Sequence, residues 1–130
     1  MNWNSLGSVK LLIVEDDTFN RQLIVSLLAK YIEVEVIEAK NGLEAISELS
    51  KTDIDIILLD IYMPEMNGFE VLEEIKKDEK LSHIPIFILS SDEVERKKSL
   101  KLGADSFITK PFNLKELEIK IYETLSYEKC

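Results

Sequence analysis

The chain has 130 residues, 45% of them hydrophobic, and carries 25 Asp plus Glu against 16 Lys plus Arg, a formal net charge of -9. That length fits one domain with one core, and the apolar share excludes a disordered chain. The acidic balance argues against direct nucleic-acid binding, which needs clustered cations. In chain order, residues 1–8 read as a polar N-terminal tail, with Trp3 as a tail residue. A first apolar run, Lys10 to Val14 (KLLIV), has the length of a strand and ends in Glu15-Asp16-Asp17. After Thr18, Leu23, Ile24, Leu27, Leu28 and Tyr31 recur at helical spacing. Val34 to Ala39 (VEVIEA) alternates as an edge strand does, and Asn41-Gly42 turns into a short helix carrying Ala45, Ile46 and Leu49. Ile54 to Leu59 (IDIILL) is a nearly continuous apolar strand followed by Asp60. Asn67-Gly68 leads into a helix with Phe69, Leu72 and Ile75, and Pro64 and Gly68 are expected only to shape the loop before it. A fourth strand, Ile86 to Leu89, ends in Ser90-Ser91, and the helix predicted over Glu93 to Leu102 has few apolar anchors before Gly103 caps it. Ser106 to Thr109 is a fifth strand, ending in Lys110-Pro111, and Leu114, Leu117, Ile121 and Leu125 mark a last helix.

The single cysteine, Cys130, offers neither a disulfide nor a cysteine metal site. No apolar run approaches the ~20 residues of a membrane span, and the first residues lack the apolar core of a signal peptide. The expectation is a cytoplasmic protein with no membrane contact. His83, the only histidine, precedes Pro85 in a loop and supports neither a histidine metal cluster nor a triad.

Strands alternating with helices imply an α/β fold, a three-layer sandwich with a parallel five-stranded sheet and right-handed crossovers. Ligands of such folds bind beyond the carboxyl ends of the strands. Four of the five ends are polar: Glu15-Asp16, Asp60, Ser90 and Lys110 converge on one rim. Two carboxylates ~4 Å apart repel by ~4 kcal/mol at an effective dielectric of 20, so Glu15, Asp16 and Asp60 call for a cation. Lys110 supplies one charge. A small hard divalent ion such as Mg²⁺, which keeps waters and shares phosphate oxygens, would supply two more. An aspartate can attack phosphorus to form an acyl phosphate while a metal and a lysine neutralise the transferring group. Asp60, fixed by the most apolar strand, is the best-placed nucleophile, with Glu15 and Asp16 holding the ion. Ser90 has two open readings, a hydroxyl donor to a phosphoryl oxygen or an N-terminal helix cap.

LLIVEDD, LLDIYMPEMNGFEVL, IFILSSDE and GADSFITKPF, in this order and spacing, resemble the receiver domain of bacterial two-component response regulators. The resemblance runs from Val9 to about Leu125 and implies a flavodoxin-like (βα)5 fold of strand order 2-1-3-4-5, with residues 9–126 as the receiver and 127–130 as a C-terminal end. It implies Asp60 as phosphoacceptor, and Asp16 and Glu15 as acids of an Mg²⁺ (or Mn²⁺) site completed by the Tyr62 backbone carbonyl. Ser90 and Phe107 take the switch positions, Lys110 the phosphate-contacting lysine, and Lys110-Pro111 a cis bond. Phe107 lacks a tyrosine hydroxyl, which leaves two readings open, switching by burial of the ring or simple core packing. The partners implied are a sensor histidine kinase or histidine phosphotransfer protein and a downstream protein or output domain. The surface of the fourth helix, fifth strand and fifth helix is the one expected to change, and a phosphorylation-dependent homodimer is compatible with it. On this reading the chain is not a turnover enzyme, and it is either a stand-alone receiver or one cut from a longer protein. An aspartyl phosphatase of the haloacid-dehalogenase type would want a second Asp where Tyr62 stands. A flavin carrier would want a phosphate loop where EDDTFN stands. A degenerate receiver acting as a phosphorylation-independent interaction module is the remaining alternative, which the intact site residues disfavour.

Overall fold

In the computed structural model, which describes residues 1–128, five parallel strands lie between two layers of helices. The strands are β1 (Val9–Val14), β2 (Val34–Ala39), β3 (Ile56–Asp60), β4 (Ile86–Ser90) and β5 (Ser106–Thr109). The helices are α1 (Thr18–Leu28), α2 (Gly42–Lys51), α3 (Gly68–Lys77), α4 (Arg96–Lys101) and α5 (Leu114–Glu128). The order in the sheet is β2-β1-β3-β4-β5, the order that the resemblance implies. Cys130 lies outside the described residues.

Period-two alternation along the strands builds two cores at once. Leu12, Val14, Ile57, Leu59 and Ile88 face Ala45, Leu49, Val71, Leu72 and Ile75 of α2 and α3. Leu11, Ile13, Ile56, Leu58 and Phe87 face Ile24 and Leu28 of α1 and Leu117, Ile121 and Leu125 of α5. With both faces covered, β3 and β4 are buried at every position, which is why they read as unbroken apolar runs. β2 forms one edge and is only partly buried, with Glu35 and Glu38 exposed and Ala39 alone fully buried.

Helix starts follow from local chemistry. The Asn67 side chain accepts from the Glu70 amide while the Glu70 carboxylate accepts from the Asn67 amide, a capping box that satisfies two orphan donors. Asn41 caps α2 through the Glu44 amide at 2.8 Å, and Asp17 caps α1 through the Phe19 amide at 3.3 Å.

Two expectations need correction. The helix predicted over Glu93 to Leu102 is a 3-10 turn, Glu93–Glu95, followed by only six α-helical residues. Ser99 is their one buried member, Val94 and Leu100 are exposed, and Gly103 ends the segment at φ +109°. Trp3, expected in a loose tail, lies in a 3-10 turn, Trp3–Leu6, and is only 4% exposed. Its ring stacks on Tyr31 at 4.1 Å and tilts against Tyr122 at 5.3 Å. An indole can bury a large apolar area in the groove between α1 and α5, a long-range gain that no local pattern in a polar segment reveals.

Candidate functional site

The register of the sheet places its polar ends together. Asp60 pairs with Leu89 at the end of β3, Ser90 pairs with Thr109 at the end of β4, and the amide of Lys110 donates to the Ser90 carbonyl at 2.8 Å. Glu15 continues from β1, its amide donating to the Ala39 carbonyl at 3.0 Å. Residues far apart in sequence thereby meet. Lys110 Nζ lies 2.7 Å from Glu15 Oε1 and 3.1 Å from Asp60 Oδ1. The Lys110-Pro111 bond is cis.

Glu15 and Asp60 are buried, whereas Asp16 beside them is exposed. One carboxylate oxygen from each of the three lies within 4.8 Å of the others. Oxygens at neighbouring positions of an octahedral Mg²⁺, each at about 2.1 Å, lie about 3 Å apart, so the three side chains must draw together to share one ion. The donors are hard anionic oxygens and the open side faces solvent, as a partly hydrated hard cation needs. This acidic cluster can bind a metal ion.

Its electrostatics are strained without one. Burial pushes the Asp60 carboxyl up to about 7, the Glu15 charge adds to that, and the Lys110 ammonium opposes it. For Lys110, burial disfavours the charge, but the hydrogen bond to Glu15 and the charge of Asp60 outweigh it and hold the ammonium above its ordinary value. At Asp60 one lysine thus does not offset burial and the neighbouring Glu15 charge.

The remaining predicted residues surround this centre. Ser90 is fully buried, and its Oγ accepts from the Asp92 amide at 3.1 Å; Asp92 in turn caps the 3-10 turn through the Val94 amide at 3.0 Å. Phe107 is buried with the Arg96 guanidinium 4.9 Å from the ring centre. Tyr62 lies two residues past Asp60 with its ring exposed, and its hydroxyl donates to Glu95 Oε1 at 2.8 Å. That hydrogen bond holds the phenol up to about 12. Thr109 Oγ1 donates to Glu93 Oε2 at 2.8 Å, and Glu93 also pairs with Arg96. The turn before α4 is therefore tied to the Asp60 loop, to β5 and to the ring of Phe107. A cavity of about 530 Å³ lined by Asp53, Asp78 and His83 lies at the opposite end of the strands, away from the carboxylates.

Two residues of this region escape the sequence reading. Gly68 is more than a loop shaper: a Cβ there would sit 2.3 Å from the Asp60 carbonyl oxygen and 2.7 Å from Ile61 Cα. Only glycine lets the start of α3 rest on the main chain of Asp60. Arg21 is 7% exposed and lies at helical spacing with the buried Ile24 and Leu28. An arginine on the apolar stripe of α1 is a signal that the sequence does contain.

A family model described as the response regulator receiver domain matches residues 11–122. The transcriptional regulatory protein CpxR homolog of Haemophilus influenzae is 40% identical over 115 residues, 86% of this chain and 48% of that protein. Chemotaxis protein CheY of Halobacterium salinarum is 38% identical over 103 residues, 79% of this chain and 85% of that one. Among solved structures, the signal receiver domain of a signal transduction histidine kinase from Syntrophus aciditrophicus superposes with a TM-score of 0.84 at 34% identity, covering 92% of this chain and 91% of that one. The chain spans about half the length of the first curated relatives that it matches, at 48%, 48% and 45%.

Proposed function

The chain belongs to the response regulator receiver domains, a family of two-component signalling, and from that premise we propose that Asp60 is its phosphoacceptor. The observation that carries this reading is the contact of Lys110 Nζ with both Glu15 and Asp60 at 2.7 and 3.1 Å, next to an acid that faces solvent. A sensor histidine kinase or phosphotransfer protein presents a phosphohistidine. An oxygen of the Asp60 carboxylate attacks phosphorus, the O–P bond forms as the P–N bond breaks, and the imidazole nitrogen keeps the electron pair and takes up a proton. Lys110 turns part of its hydrogen bonding from the carboxylates to a phosphoryl oxygen, and the buried Ser90 hydroxyl lies on the adjoining strand end to donate a second. Glu15, Asp16 and Asp60, with the Tyr62 carbonyl on the loop that follows, would hold Mg²⁺ or Mn²⁺. When bound, the ion supplies positive charge against the oxygens of the transferring group.

The product is a modified protein rather than a released compound, so the chain acts as a signalling switch in the cytoplasm and not as a turnover enzyme. The ties from Glu93, Glu95 and Arg96 to Thr109, Tyr62 and Phe107 support a response carried by the surface of α4, β5 and α5. That surface would meet a downstream protein or output domain, or a second phosphorylated copy.

Incubation with Mg²⁺ and acetyl phosphate, or with a cognate kinase, followed by intact-mass measurement tests this. The wild type is expected to gain the mass of one phosphoryl group and Asp60→Asn none. A wild type that stays unmodified under both conditions would sink the reading.

A further inference from the structure

Arg21 takes no part in the chemistry above, yet it is the one basic residue among the buried polar and charged side chains described. Its Nη1 donates to the Glu15 carbonyl oxygen at 2.8 Å, a buried bond between a charged donor and the main chain. Its Nε donates to Glu38 Oε1 at 2.9 Å, and that oxygen also accepts from Gln22 Nε2 at 3.1 Å. One guanidinium thus spans from α1 to the ends of β1 and β2. A planar fork can serve both acceptors at fixed angles, which an ammonium cannot.

The peptide group it grips lies between Glu15 and Asp16, the two acids at the end of β1. Glu15 is held on its other side by its amide, which donates to the Ala39 carbonyl at 3.0 Å, and the residue after Asp16, Asp17, caps α1. The aim of both carboxylates therefore depends on a backbone turn clamped by β2 from one side and by Arg21 from the other. We propose that Arg21 is a positioning residue for the cation pocket, setting the directions of Glu15 and Asp16 by fixing the peptide between them. This rests on reading the pocket as a divalent-cation site.

Charge alone predicts the opposite effect. A guanidinium near a site for a cation repels that cation, so removing it should tighten binding unless its geometry is what counts. A mere strut between α1 and the sheet would alter stability and leave affinity untouched. Partners beyond the immediate donors of a metal site commonly hold those donors in place, and their loss typically costs about 10- to 100-fold in affinity.

The experiment is calorimetric titration of the intact chain with Mg²⁺ for the wild type, Arg21→Met and Arg21→Lys, with folding of each checked by circular dichroism. Both variants are expected to raise the Mg²⁺ dissociation constant by about 10- to 100-fold. Arg21→Lys keeps the charge and most of the stem, so it decides the matter if Arg21→Met fails to fold. A metal-free readout accompanies it: the Asp16 amide belongs to the peptide group that Arg21 holds, and its NMR shift should move in both variants. Unchanged affinity in Arg21→Lys, tighter binding in Arg21→Met, or an unmoved Asp16 amide would overturn the role given to Arg21. Absence of Mg²⁺ binding by the wild type would instead overturn the cation reading, and the role of Arg21 with it.

Discussion

Asp60 carries a conflict between burial and ionisation that makes its contribution to stability depend on pH. Burial first, and then the Glu15 charge, lift its carboxyl to about 7, while in the unfolded chain an aspartate releases its proton near pH ~4. Between those values Asp60 holds its proton in the folded state more than in the unfolded state, so its contribution to the unfolding free energy falls as pH rises from about 4 to about 7. This group contributes up to about 1.4 kcal/mol per pH unit across that window. Urea unfolding in EDTA at pH 5, 6 and 7 should show the decline in the wild type and a shallower one in Asp60→Asn, which has no proton to lose. Equal slopes would refute the assignment. The same conflict favours cation binding, since a carboxylate short of compensating charge gains from any cation that joins it. Gly68 completes the arrangement by letting α3 begin against the Asp60 carbonyl, where a methyl group would have 2.3 Å of room.

Among the elements, the shortest helix is as thinly anchored as its sequence reads, whereas the N-terminal turn behaves contrary to its appearance in the sequence. α4 buries only Ser99, and polar side chains tie the turn before it to its neighbours: Tyr62 to Glu95, and Thr109 to Glu93. Few buried contacts make a segment easy to rearrange locally, and two arrangements of similar energy are what a switch requires. The turn around Trp3 is the opposite case, a polar stretch anchored by one large ring between Tyr31 and Tyr122. Trp3→Ala should cost about 3 kcal/mol of stability, in the range for truncating a buried aromatic, measured by urea unfolding of the full chain. A loss below about 0.5 kcal/mol, the usual size for a surface change, would show that the turn is a loose tail after all.

For the molecule as a whole, the net charge of -9 is distributed to some purpose at one place: Glu15, Asp16 and Asp60 share a rim with one lysine. A cation bound there in the folded state and not in the unfolded one must stabilise the fold. At a free Mg²⁺ concentration 100 times the dissociation constant, the gain should be about 2.7 kcal/mol. Thermal or urea unfolding with Mg²⁺ against EDTA would measure it, and Asp16→Asn should reduce it. No gain in the wild type would argue against a site at these acids.

The alternation of apolar runs with amphipathic stretches was enough to determine the α/β class, because covered parallel strands must be apolar throughout and helices must carry a stripe. Acids at the ends of β1 and β3 and a lysine after β5 were legible as one site by the same logic, since a parallel sheet brings all its carboxyl ends to one rim. The strand order came from the resemblance and then from the structure, because pairing between strands is a long-range choice that no single strand encodes. Tertiary structure alone decided that Trp3 is buried, that Arg21 grips Glu15, and that Tyr62 reaches Glu95. Each depends on how separate elements pack, with partners 6 and 33 residues apart for the two hydrogen bonds and farther for the ring of Trp3 on Tyr122. Local pattern reports which face of an element is apolar, whereas only the packed fold brings two polar groups, or two rings, within reach of each other.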